Sequence, residues 1–211
     1  TFTDVTVSSG VGNGLQQSFQ STWIDIDNDR FLDLYVINDR LDYPNSFYLN
    51  NGDGTFADMA PVWGADLSIY AMSSTFGDYD CDGDMDLYVT NGSAGNILLS
   101  NNINQGMGFI NVTSSLGVEV NQICWGACFM DHQNDSWLDL YVGTGVSGNT
   151  DYPAMFDEYP AQSNAFFSST GSSSVQDISS ETPEGIQHTF SIATGDFNND
   201  GFPDLVSHQV G

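Results

Sequence analysis

Nine residues, Asp78-Tyr-Asp80-Cys-Asp82-Gly-Asp84-Met-Asp86, place carboxylates at positions 1, 3, 5, 7 and 9 around a glycine at position 6. Five like charges in so short a loop repel one another unless a cation neutralises them. Hard oxygens at alternating positions about a turn suit Ca2+, which takes roughly six to eight of them at about 2.3–2.6 Å. The same grammar recurs in Asp25-Ile-Asp27-Asn-Asp29-Arg-Phe31-Leu-Asp33, in Asp131-His-Gln133-Asn-Asp135-Ser-Trp137-Leu-Asp139, and in Asp196-Phe-Asn198-Asn-Asp200-Gly-Phe202-Pro-Asp204.

The four loops begin 53, 53 and 65 residues apart. A second motif keeps the same beat: Phe2-Thr-Asp4-Val5-Thr6, Phe56-Ala-Asp58-Met59-Ala60, Phe109-Ile-Asn111-Val112-Thr113 and Val175-Gln-Asp177-Ile178-Ser179, at spacings of 54, 53 and 66. Two motifs with one period, both lengthened in the third unit, establish a repeat. The units fall at about 12–64, 65–118, 119–185 and a partial 186–211, with residues 1–11 reading as the last strand of a preceding or partner unit.

Each unit divides into four short strands. The first leads into the loop: Phe19–Ile24, Met72–Gly77, Trp125–Met130 and Phe190–Gly195. Bulky residues (Phe19 and Trp23, Met72 and Phe76, Trp125 and Phe129) alternate with the small Ser21, Ser74 and Ala127. That pattern suits the crowded inner strand of a β assembly. The second leaves the loop as Leu34-Tyr35-Val36, Leu87-Tyr88-Val89, Leu140-Tyr141-Val142 and Leu205-Val206, β-branched and aromatic residues that favour a pleated sheet. Phe47–Leu49, Ile97–Leu99 and Ala165–Phe167 form the third. The fourth is the Phe-x-Asp-Val motif, reached in the first unit through the hairpin signal Asn51-Gly52-Asp53-Gly54. No stretch has helical periodicity with caps, so the expected class is all-β.

Composition sets limits on partners. The chain carries 28 acidic residues against two arginines and no lysine, a net charge of −26. Nucleic acid and anionic membranes are poor partners, because both need Lys and Arg. Four Ca2+ ions would leave a net charge of about −18. A surface so acidic calls for divalent cations to stay compact, and for a calcium-rich compartment outside the cell. No apolar run approaches the ~18 residues of a membrane span. The expectation is a secreted or cell-surface chain whose signal peptide has been removed. Cys124 and Cys128 would stand roughly 13 Å apart on an extended strand, too far for a bridge. A disulfide from Cys81 to either one or to another chain, and three free thiols, both remain open.

EF-hand loops are excluded, since they need a bidentate Glu at position 12 and flanking helices. Position 12 here is Val36, Val89, Val142 or Ser207, in expected strands. What the chain resembles is the FG-GAP/VCBS-type repeat of integrin-like β-propellers. Thr75-Phe76-Gly77-Asp78 through Leu87 and the Asn50–Phe56 hairpin carry the likeness, which covers nearly the whole chain apart from an insertion. The resemblance implies four-stranded propeller-like blades with a Ca2+ loop between the first and second strands of each. It also implies side-chain ligands at positions 1, 3, 5 and 9 and a backbone carbonyl at 7. Carried over, the ligands are Asp25, Asp27, Asp29, Phe31 and Asp33; Asp78, Asp80, Asp82, Asp84 and Asp86; Asp131, Gln133, Asp135, Trp137 and Asp139; Asp196, Asn198, Asp200, Phe202 and Asp204. Arg30 and Ser136 stand where a left-handed glycine is expected. The neutral Gln133 and Asn198 should make loops three and four weaker than loop two.

The insertion, Ser147–Ala161, holds Asp151, Tyr152, Pro153, Asp157, Glu158, Tyr159 and Pro160, and reads either as a binding loop or as plain surface elaboration. His132, His188 and His208 show no catalytic or metal-ligand spacing, with His132 expected to point outward, and no nucleophile elbow, zinc-protease helix or phosphate loop occurs. Asn91, Asn111 and Asn134 begin glycosylation triplets, of which Asn134 falls inside a metal loop. The expected function is therefore non-catalytic. It is either adhesive or structural, with a protein or glycan ligand, or a filament subunit that assembles copies of itself head-to-tail through the N-terminal strand. A piece of a larger seven-bladed recognition module is the third alternative.

Overall fold

The computed structural model describes residues 1–145, 163–171, 174–182 and 188–209. The expected 147–161 insertion lies outside the described residues. Three antiparallel four-stranded meanders follow one another in the chain. The first contains β1 (Ser18–Ile24), β2 (Asp33–Asn38), β3 (Ser46–Asn50) and β4 (Phe56–Asp58). The second contains β5 (Ser74–Gly77), β6 (Asp86–Val89), β7 (Ile97–Asn102) and β8 (Gly108–Asn111). The third contains β9 (Cys124–Met130), β10 (Asp139–Thr144), β11 (Ala165–Ser169) and β12 (Val175–Asp177). β13 (Thr189–Gly195) and β14 (Asp204–Gln209) pair as a two-stranded sheet. The all-β, propeller-like expectation holds, with every expected strand formed except Phe2–Thr6.

The inner strands β1, β5, β9 and β13 lie beside one another in that order. Small residues permit this approach: a Cβ on Gly77 would stand 2.8 Å from the Phe129 ring. Across the gap the Gln20 amide accepts from the Ser74 N–H at 2.8 Å and donates to its carbonyl at 3.1 Å. Phe19 of β1 meets the edge of Trp125 of β9 at 6.4 Å. Between sheets the packing is aromatic. Tyr35 and Phe47 of the first face Phe76 and Phe109 of the second. Their surfaces, buried with Trp63 and Leu87, form one continuous core.

β2, β6 and β10 are buried on both faces, which explains their unbroken Leu-Tyr-Val runs, whereas β14 is partly to fully exposed. A phenol in such a place needs a polar partner. Asn45, Asn96 and Asn164, each just before a third strand, donate to the hydroxyls of Tyr35, Tyr88 and Tyr141 at 2.9, 3.1 and 2.8 Å. The same amides accept from the N–H groups of Asn38, Asn91 and Thr144 at the end of the second strand. This asparagine clamp carried no recognised signature in the sequence.

Two expectations are corrected. Helix is present as single turns: α1 (Thr6–Ser9), α2 (Ala60–Trp63), α3 (Thr113–Leu116) and a 3-10 turn at Ser179–Glu181. Four residues are too few for a periodic pattern to show. The first three end on left-handed Gly10, Gly64 and Gly117. Second, the Phe2–Thr6 segment, expected as the last strand of a preceding or partner unit, forms no strand within this single chain. A fourth strand forms against a third, as β4 does on β3, and residues 1–5 have no such neighbour among the described residues. Phe2 is fully exposed.

Asn96→Ala should destabilise the chain by about 2 kcal/mol, because it strands the buried Asn91 N–H and leaves the Tyr88 hydroxyl only its long bond to the Val118 carbonyl. Denaturant unfolding of the variant against the parent chain checks this. A change below about 0.5 kcal/mol would mean the clamp contributes nothing.

Candidate metal centres

Every loop joins the first and second strand of its sheet, and one hydrogen-bond plan shapes all four. The position-1 aspartates Asp25, Asp78, Asp131 and Asp196 accept from the backbone N–H groups at positions 5 and 6, at 2.7–3.1 Å. The position-5 aspartates Asp29, Asp82, Asp135 and Asp200 accept from the N–H at position 7. These bonds fold the chain so that its carboxylates turn inward.

Position 9 ties the loop to the sheet. Oδ2 of Asp33, Asp86, Asp139 and Asp204 accepts from the position-2 N–H at 2.9–3.1 Å. Oδ1 of the first three accepts from the third strand, through the N–H groups of Asn50, Asn101 and Ser169 at 2.8–2.9 Å. Asp33, Asp86 and Asp139 are essentially inaccessible to solvent.

Carboxylate oxygens of Asp25, Asp27 and Asp29 lie within 4.8 Å of one another in loop one, and those of Asp78, Asp80 and Asp86 do so in loop two. One oxygen of Asp80 is buried without a hydrogen-bond partner. Loops three and four bring together no such triad among the described residues. Position 3 explains the difference. There the Gln133 amide nitrogen donates to the Ser168 hydroxyl at 2.7 Å, and a neutral side chain stands where loops one and two carry a carboxylate. The Asn198 amide donates to Asp200 at 3.0 Å.

The position-7 side chains stay outside the clusters. Phe31 and Phe202 are exposed, while Asp84 is buried and accepts from Asn28 at 3.0 Å and Asn104 at 2.9 Å. Only their backbone carbonyls are left to serve the loop. His132, expected to point outward, instead turns in: its Nδ1 meets Asp139 Oδ2, and its ring packs on Phe166. Position 2 is buried in loops one and two, as Ile26 and Tyr79, but exposed in loop four, as Phe197. The amide of Asn91, a glycosylation candidate, is buried and donates to the Gly95 carbonyl. All three cysteines are free, with Cys81 exposed and Cys124 buried.

Charge crowding shows in the acidities. Burial pushes the Asp86 carboxyl up to about 8, with Asp80 and Asp82 adding to the shift. Asp27, Asp33 and Asp80 are raised as well, chiefly by burial and then by neighbouring carboxylates. The backbone is crowded too. Position 6 is left-handed in all four loops, at φ 76° for Arg30, 92° for Gly83, 74° for Ser136 and 90° for Gly201.

Residues 25–89 match the FG-GAP-like repeat family, and residues 189–207 match the FG-GAP repeat family. Both matched stretches carry FG-GAP-type repeats. The longer FG-GAP match starts on Asp25, the first residue of loop one, and ends on Val89, the last of β6. The shorter one takes in β13, loop four and most of β14. No curated protein matches the chain.

Two outcomes follow from this geometry. Ser136→Gly should stabilise the chain by about 1 kcal/mol, since a Cβ in left-handed backbone costs roughly 1–2 kcal/mol. Denaturant melts decide it, and a destabilised variant would contradict the strain. In cation-free buffer, Asp86 holds its proton more tightly folded than unfolded. Its stabilising contribution is therefore complete below about 4 and is lost as the pH rises towards about 8. The melting temperature should fall from pH 5 to pH 8, and Asp86→Asn should flatten that slope.

Proposed function

We propose that this chain is a non-catalytic, calcium-stabilised repeat module that acts outside the cell in adhesion or as a structural element. The observation that carries the reading is loop two. There the oxygens of Asp78, Asp80 and Asp86 converge, and one Asp80 oxygen is buried with nothing to bond. A buried, unpaired carboxylate oxygen is costly, and a cation at that point would remove the cost.

The donor chemistry fits a hard divalent ion. Every candidate is an oxygen, from carboxylate, amide or backbone carbonyl, and none is a thiolate or imidazole. Asp78, Asp80, Asp82 and Asp86, with the carbonyl of Asp84, would hold Ca2+ in loop two. Asp25, Asp27, Asp29 and Asp33, with the carbonyl of Phe31, would do so in loop one. Loops three and four, with an amide at position 3, would bind more weakly. Bound Ca2+ supplies charge neutralisation and cross-linking here, and the residues do no bond-making chemistry.

The setting follows from the repeat. FG-GAP repeats are typical of extracellular adhesive and structural proteins, are generally non-enzymatic, and generally mediate protein interactions. An acidic chain whose loops call for millimolar-range Ca2+ suits the same compartment. The partner would be a protein or glycan, or another copy of the chain, and neither nucleic acid nor an anionic membrane fits the charge.

Thermal melts in Ca2+ and in excess EDTA test the reading. One site at 100 times its dissociation constant adds about 2.7 kcal/mol, equivalent to roughly 5–10 °C for a chain of this size. Chelation should lower the midpoint by at least that amount, and Asp80→Ala should remove part of the difference. Equal midpoints in Ca2+ and EDTA would sink the calcium assignment.

A further inference from the structure

Position 4 of each loop is none of the candidate ligands, and in three loops its side chain reaches the next loop along the chain. The Asn28 amide donates to the Asp84 carboxylate at 3.0 Å and lies 3.5 Å from the Gly83 carbonyl. The Cys81 thiol donates to the Ser136 carbonyl at 3.3 Å. The Asn134 amide donates to the Gly201 carbonyl at 2.7 Å. In each case the carbonyl is that of position 6. It belongs to the peptide that leads directly into position 7, whose own carbonyl is a candidate ligand. The donors share one backbone state, with φ of 61°, 57° and 56°. Loops one and two have a second link. Asn101, fully buried, donates to the Ile26 carbonyl of loop one at 3.1 Å and to the Met85 carbonyl of loop two at 3.2 Å.

We infer that the four loops form a coupled row, in which a divalent cation in one loop raises the affinity of its neighbour through the position-4 side chain. The inference rests on the calcium reading of these same loops. Filling a loop fixes positions 3 and 5 on either side of position 4, and so holds the donor in its left-handed place. Filling the next loop fixes the peptide that accepts. Whichever loop orders first has already met part of the ordering cost of the other, and by linkage the effect is mutual. Repulsion between cations opposes this weakly. Loop two has four aspartates at ligand positions, so it stays net negative with one divalent ion bound. The links grade the coupling. Loops one and two, joined by Asn28 and Asn101, are tied most firmly, and loops two and three, joined by a thiol, least, because S–H is a weak donor.

Hydrogen exchange of the full chain, titrated with Ca2+ and read loop by loop, tests the row. Loop four is the reporter, because Asn134 is its link to loop three and none of the substitutions below alters loop four itself. Asp131→Ala, which disables loop three, should raise the Ca2+ midpoint for protection of loop four about fivefold. Asn134→Gly, which keeps the left-handed backbone and removes only the donor, should raise it similarly. The double variant should shift it no further. Cys81→Asn should lower the midpoint of loop three, by giving its link to loop two a stronger donor. If loop four gains protection at the same Ca2+ concentration in all these chains, the loops are independent and the row is wrong. If no loop gains protection at any Ca2+ concentration, the calcium reading itself falls and the row with it. Unchanged protection of β6 and β10 shows that the variants remain folded.

Discussion

Each repeat depends on one buried carboxylate. Asp33, Asp86 and Asp139 open their second strands and are cut off from solvent, yet each accepts from both its own loop and its third strand. No neutral residue accepts on two sides at this point without presenting a donor to one of them. Once ionised, that carboxylate puts a negative charge inside the repeat, beside a loop that already gathers two or three more. Hydrogen bonds hold these groups in position, but they do not discharge them.

The rest of the architecture accommodates that charge. Left-handed backbone at positions 4 and 6 turns the loop tightly enough to point its carboxylates inward. The asparagine clamp on Tyr35, Tyr88 and Tyr141 fixes the far end of the same second strand. A strand pinned at one end by aspartate and at the other by asparagine is set in register, and its Leu-Tyr-Val face becomes the core. The raised pKa values of Asp27, Asp33, Asp80 and Asp86 mark where neutralisation is most needed.

Sequence legibility followed chemistry that repeats. The loops, the strand order and the sheet pairing could all be read because Asp, Gly and Leu-Tyr-Val recur at one spacing. Left-handed position 6 was legible from Gly83 and Gly201 even where Arg30 and Ser136 hide it. The asparagine clamp was not, because Asn45, Asn96 and Asn164 look like turn residues in a chain rich in asparagine. The inward turn of His132 was hidden too, since a polar residue at position 2 reads as surface until its bond to Asp139 is known. Phe2–Thr6 carries the same local motif, but a strand requires a neighbour, and the one expected for it is a preceding or partner unit outside this chain. Gln133 holds a ligand position by count, and the bond from its amide nitrogen to the Ser168 hydroxyl has no signature in the repeat.

Where the cations sit is the most direct question to ask of this arrangement. Anomalous diffraction from crystals grown in millimolar Ca2+ locates them without reference to stability or activity. The account predicts strong peaks within loops one and two, each bounded by the carboxylates at positions 1, 3, 5 and 9 and the carbonyl at 7, and weaker ones in loops three and four. Loops free of any peak, or peaks confined to carboxylates outside them, would contradict it.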